Sequence, residues 1–119
     1  MIQKEKDFDE ALKATFRQPA TRLVIPKIED PYNRFFFLLL QSDCPSLHEF
    51  WDQDEKKCDE QGLLATLPSL NHGENIMARF LMAVWFSDKR EFDIREAAAT
   101  LDLPRRRLIA EWLSDPFWP

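Results

Sequence analysis

The sequence predicts an all-α fold, a compact bundle of five or six short helices around a buried central helix, in one domain spanning residues 1–119. Three observations carry this expectation. Within Glu74–Phe86, the residues Ile76, Met77, Phe80, Leu81, Met82, Val84, Trp85 and Phe86 leave Arg79 as the one interior charge. A helix apolar on nearly every side is one surrounded by other elements. The chain has two glycines, Gly62 and Gly73, fewer than sheets with tight hairpins or phosphate-cradling loops usually use. Hydrophobic residues make up 45% and charged residues 31%, a balance that builds both a core and a solvated surface and does not read as disorder.

Along the chain, Phe8, Leu12 and Phe16 recur every fourth residue, which predicts a helix over Asp7–Gln18 that Pro19 ends. Leu23, Val24, Ile25 and Ile28, with Pro26 among them, read as an extended connection or edge strand. Asp30-Pro31-Tyr32-Asn33 reads as a turn. The run Phe35–Leu40 is apolar throughout, and its period does not choose between helix and strand. The all-α expectation therefore leaves room for a small N-terminal β-hairpin between Leu23–Ile28 and Phe35–Leu40.

Ser46 with Glu49 three residues later has the capping-box pattern. It predicts an acidic helix from Leu47 to Glu60 with Leu47, Phe50, Trp51 and Cys58 turned inward and Gly62 just past its end. Leu63–Leu70, interrupted by Pro68, reads as a packed loop. After the central helix, Asp93 is placed to cap a helix ending at Leu101, with Glu96 at its third position. Pro104 suits the first position of a last helix that ends at Ser114. Asp115-Pro116-Phe117-Trp118-Pro119 cannot continue that helix, and its two aromatics are expected to fold back.

The formal charge of -5 excludes a basic field over the whole molecule. The acidity is local. Asp43, Glu49, Asp52, Asp54, Glu55, Asp59 and Glu60 face only Lys56 and Lys57, whereas from Lys89 onward six bases balance six acids. Any nucleic-acid surface must therefore lie outside the acidic stretch. Cys44 and Cys58 stand 14 apart, with no Cys-x-x-Cys and no histidine pair at metal spacing, which predicts reduced thiols in a cytoplasmic protein. The first residues have no apolar core of a signal peptide, and the longest apolar run is too short for a membrane span.

Nothing in the sequence points to catalysis. It holds no Gly-x-Ser-x-Gly, no glycine-rich nucleotide loop and no singled-out acid–base pair, so no enzyme activity and no cofactor are assigned. His48, Asp52 and Glu55 are spaced four and three apart, but no cysteine or second histidine accompanies them. No metal site is assigned, and His48 reads as a surface histidine.

The segment Arg95-Glu96-Ala97-Ala98-Ala99-Thr100-Leu101-Asp102-Leu103-Pro104-Arg105-Arg106-Arg107-Leu108-Ile109-Ala110-Glu111-Trp112-Leu113 resembles the bacterial helix-turn-helix pattern over about twenty residues, within 93–114. The resemblance implies Ala98 as the small residue at the helix crossing. It implies Leu101 and Leu103 on either side of the turn, and Leu108 with Trp112 as anchors of the second helix. The start of that helix would enter the major groove and present Arg105, Arg106 and Arg107, side chains suited to phosphate and to guanine edges. Three residues depart from the pattern: Asp102 where glycine is usual, Ile109 at an exposed position, and Glu111 where an apolar anchor is common. Gly73-Glu74, Ala78–Leu81, Trp85, Phe92-Asp93 and Pro116–Pro119 together resemble small uncharacterised proteins of bacterial plasmids and integrated mobile elements. That likeness covers about the last 50 residues and implies an accessory role with no particular activity.

Two functional expectations follow. The first is a non-catalytic regulatory protein that binds DNA through Arg105, Arg106 and Arg107, its acidic part serving dimerisation or a protein partner; the oligomeric state stays open, a homodimer included. The alternative is an acidic protein-binding inhibitor or adaptor, such as a mobile-element product that blocks a host factor. Trp51 would anchor it while Asp52, Asp54 and Glu55 meet a basic surface.

Overall fold

Asp30-Pro31 starts a helix, not a turn. Asp30 is extended and its Oδ1 accepts the Tyr32 amide hydrogen at 2.8 Å, and Pro31 occupies the first turn, where its missing N–H costs nothing. The computed structural model describes residues 30–119, so the expected helix over Asp7–Gln18 and the extended segment over Thr21–Ile28 lie outside the described residues. Helix α1 spans Pro31–Gln41 and contains the whole Phe35–Leu40 run. That run is therefore helical and forms no strand of an N-terminal hairpin. Phe35, Leu38 and Leu39 are buried while Phe37 and Leu40 are exposed, the one-sided burial of a helix on a core.

The acidic stretch is not one helix. It divides into α2 (Pro45–His48), an antiparallel pair β1 (Trp51–Asp52) and β2 (Lys57–Cys58) in register Trp51↔Cys58, and the start of α3 (Glu60–Thr66). Cys44, not Ser46, is the residue before α2, and no side chain caps that helix. Asp52 Oδ1 accepts the amide hydrogens of Asp54 and Glu55, and Lys56 takes the left-handed turn position at φ 56°. Gly62 is not a helix stop. Asp59 caps α3 by accepting the Gly62 amide hydrogen at 3.0 Å, and a Cβ on Gly62 would run into the same carboxylate. The expected loop Leu63–Leu70 is instead the rest of α3 and a 3-10 turn at Leu67–Ser69.

The central helix α4 spans His72–Phe86 and starts with a full capping box between Asn71 and Glu74. Ile76, Met77, Ala78, Phe80, Leu81, Met82 and Val84 are buried, and Trp85 and Phe86 are partly so. Arg79 keeps its charge at the edge by donating to Asn75 Oδ1 at 2.8 Å and pairing with Glu91 at 3.4 Å. Helices α5 (Ile94–Thr100) and α6 (Leu103–Ser114) follow, each capped by an aspartate, Asp93 and Asp102. The fold is mainly helical with one small hairpin, and that hairpin lies at Trp51–Cys58.

Two arginines tie α1 to α6 in opposite directions. At the end of α1, Arg105 from the first turn of α6 donates to the carbonyls of Ser42 (3.1 Å) and Asp43 (2.8 Å). At the end of α6, Arg34 from the first turns of α1 donates to the Asp115 carbonyl (2.8 Å) and pairs with its carboxylate (3.2 Å). Neither helix has a basic residue in its own last turn, so each borrows one for the free carbonyls and negative end of its dipole. The helices are thus antiparallel. The Arg105 guanidinium also lies against Gly73 at the start of α4, and Tyr32 at the start of α1 packs edge-on against Trp85 at the end of α4. These contacts run α4 alongside α6 and against α1.

Candidate nucleic-acid interface

The corner between α5 and α6 is two extended residues. Leu101 has ψ 150°, and Asp102 has φ -72° and ψ 170°. No residue there is left-handed, so Asp102 in place of glycine is no obstacle. Asp102 Oδ1 accepts the Arg105 amide hydrogen at 3.1 Å, which starts α6. Pro104 sits one position further into the helix than the sequence implied.

Ala97, not Ala98, is the small buried residue of α5, and Ala98 and Ala99 face outward. Leu101 is buried, whereas Leu103 is exposed. On α6, Leu108 is buried and Trp112 partly buried as expected, and Ile109 also packs in the core. The Trp112 ring meets Phe80 edge-on, and its Nε1–H donates to the Phe117 carbonyl at 3.0 Å. The tail does fold back, with Trp118 edge-on against Trp112.

The three arginines do not act together. Arg105 is committed to the end of α1, and its guanidinium also reaches Cys44 Sγ at 3.3 Å. It is a positioning residue, which corrects the expectation of a three-arginine surface. Arg106 and Arg107 are exposed and form no ion pair among the described residues. Of the acids nearby, Glu111, one turn from Arg107, and Asp43, beside Arg105, are exposed and form no ion pair among the described residues, whereas four others are held. Asp93 and Asp102 cap helices, Glu96 holds His72 Nε2 at 2.8 Å, and Asp115 is taken by Arg34.

The acidic patch is also rearranged. Trp51 is 6% exposed, in ring contact with Phe35 and Trp85, so it is a core residue and cannot anchor a partner. Asp52 shapes the hairpin turn, and Asp54 and Glu55 are exposed at its tip. His48 is half-buried, with its Nε2 lacking a hydrogen-bond partner, and among the described residues no three acid, histidine or cysteine side chains gather as metal ligands. Lys56 lies over the Tyr32 ring, which puts the acidic tip at the start of α1. The arginine tip is at the other end of that helix, roughly 16 Å away for eleven residues. Exposed charges so separated are largely screened from each other at physiological salt.

Both thiols are held protonated by their surroundings. Burial raises the Cys44 pKa, with Arg105 opposing it. Burial pushes Cys58 up to about 12, reinforced by Glu60 and Asp59. Neither is a thiolate nucleophile at neutral pH. Among the described residues, no helix is long and apolar enough to cross a membrane.

No family model, curated protein or solved structure matches the chain.

Proposed function

We propose that this chain is a non-catalytic, cytoplasmic regulatory protein that docks on duplex DNA through the start of α6. Arg106 and Arg107 contact the nucleic acid, and Arg105 holds α6 in place against α1. One observation carries this reading: two adjacent exposed arginines on the first turns of a capped helix, neither in an ion pair among the described residues. The helix-turn-helix resemblance of 93–114 and the separation of the arginines from the acidic hairpin support it. An accessory role on a bacterial mobile element suits a small binder of this kind.

The test is fluorescence anisotropy with a mixed-sequence duplex of about 25 base pairs over a range of salt. Binding should tighten as salt falls. The double variant R106A/R107A should bind more weakly and lower the log–log salt slope by roughly two, about 0.9 for each phosphate that is no longer neutralised. No binding at low salt, or an unchanged slope in the double variant, removes this reading.

A further inference from the structure

Beside α6, and independent of the arginines, a cleft of about 370 Å³ opens between α4, α5 and the C-terminal tail. Phe80, Phe92, Ile109 and Trp112 line it, and Ile94, Leu113 and Trp118 stand 49%, 54% and 54% exposed around it. Its size is at the small end for ligand sites, enough for one or two fused rings. Apolar side chains left half in water around a preformed hollow favour a flat apolar occupant.

The polar groups specify the rest. Ser87, Asp88 and Lys89 also line the cleft. Arg90 takes up the local acids, holding Asp88 at 2.7 Å and Glu60 at 2.6 Å while its guanidinium lies over the Phe86 ring. Lys89 is left exposed and, among the described residues, without an ion pair. The loop that carries it is strained: Ser87, Arg90 and Glu91 have φ of 57°, 45° and 56°. Left-handed conformations in non-glycine residues are costly and cluster at ligand clamps.

We propose that this cleft binds a small aromatic carboxylate, its rings among Phe80, Phe92, Trp112 and Trp118 and its carboxylate at the Lys89 ammonium. With Asp88 held by Arg90, the unpaired Lys89 is the cation left to select an anion over a neutral or cationic ring compound. The claim stands whether or not α6 binds DNA.

The experiment uses the full chain, with 2-naphthoate and its neutral analogue 2-naphthalenemethanol as probes and backbone amide NMR as the readout. Both should saturate with shifts confined to 80–94 and 109–118. The neutral compound should bind roughly two- to fivefold more weakly, the range of a partly exposed ion pair. Lys89→Gln should abolish that preference while keeping the binding. Trp118→Ala, at an exposed position that leaves the core intact, should weaken both probes. The proposal is overturned by non-saturating titrations in the millimolar range, by shifts lying elsewhere, or by a preference that survives Lys89→Gln. It is overturned equally if sedimentation shows a dimer whose dissociation is what frees these amides, because the occupant is then a second copy.

Discussion

The hairpin end and the arginine end of α1 carry opposite charge, yet they treat their most conspicuous side chains alike. Each draws one residue inward and leaves its neighbours outside. At the hairpin, Trp51 enters the aromatic cluster while Asp54 and Glu55 stay in water. At the α5–α6 corner, Arg105 closes the end of α1 while Arg106 and Arg107 stay in water. The ends differ in what becomes of the acids. Around the arginines, Asp93, Glu96, Asp102 and Asp115 are held by helix starts, His72 or Arg34, while Glu111 makes no ion pair among the described residues. At the hairpin tip, Asp54 makes no ion pair among the described residues and Glu55 meets Lys57 only at 4.0 Å. A carboxylate that caps a helix keeps its charge, so the two ends differ in which charged side chains have partners rather than in how much charge a cap removes.

The largest expected effect tests the hairpin's inward residue. Trp51→Ala should cost about 3–5 kcal/mol in urea unfolding, as for other large core truncations. A loss below about 1 kcal/mol would return Trp51 to the surface. At the other end, Arg105→Ala should cost about 1.5–3 kcal/mol, since it strips charged donors from carbonyls at a helix terminus. Arg106→Ala and Arg107→Ala should each stay within about 0.5 kcal/mol. Equal losses for all three arginines would erase the distinction between positioning and contact residues.

The thiols sharpen the same contrast. Cys58, in strand β2 of the hairpin and next to two acids, keeps its proton in the fold until about pH 12, against 9.0 for the ordinary thiol. Its raised folded pKa means that this stabilisation is whole below pH 9 and is lost as pH rises from 9 towards 12. Over that window the wild type should lose stability more steeply than Cys58→Ala, as read by denaturation at a series of pH values. Parallel curves would mean that the site does not hold the proton. The smallest effect concerns distance. Reversing Asp54 and Glu55 to lysine should change DNA affinity less than about twofold at physiological salt, because the two ends lie beyond a Debye length of about 8 Å. A large gain would mean that the acidic tip shares the DNA-facing surface.

Local chemistry makes the C-terminal half readable. An all-round apolar run, an aspartate cap at 93 and Pro104 place α4, α5 and α6 within two residues of where they lie, whereas Asp102, which caps α6, reads only as a turn residue. The acidic stretch reads wrongly as one helix because Leu47, Phe50, Trp51 and Cys58 fit a helical face as well as they fit a hairpin. The turn also lacks the glycine that usually announces it, with Lys56 holding the left-handed position. Asp30-Pro31 is equally apt for a turn or for a helix start, and the helical burial of Phe35, Leu38 and Leu39 decides between them. The cleft at Lys89 has no sequence signal of its own, since Phe80 reads as core and Trp112 as an anchor of the last helix.

By itself, the sequence determined the helical class, the central helix and the capped pair α5–α6, because apolar period, caps and prolines act within a few residues of the chain. Only the tertiary structure decided which arginines are free, that Trp51 is interior, and that Lys89 faces an apolar cleft. Those outcomes depend on which carbonyls, rings and carboxylates arrive from segments up to 81 positions away, and no local pattern encodes such meetings.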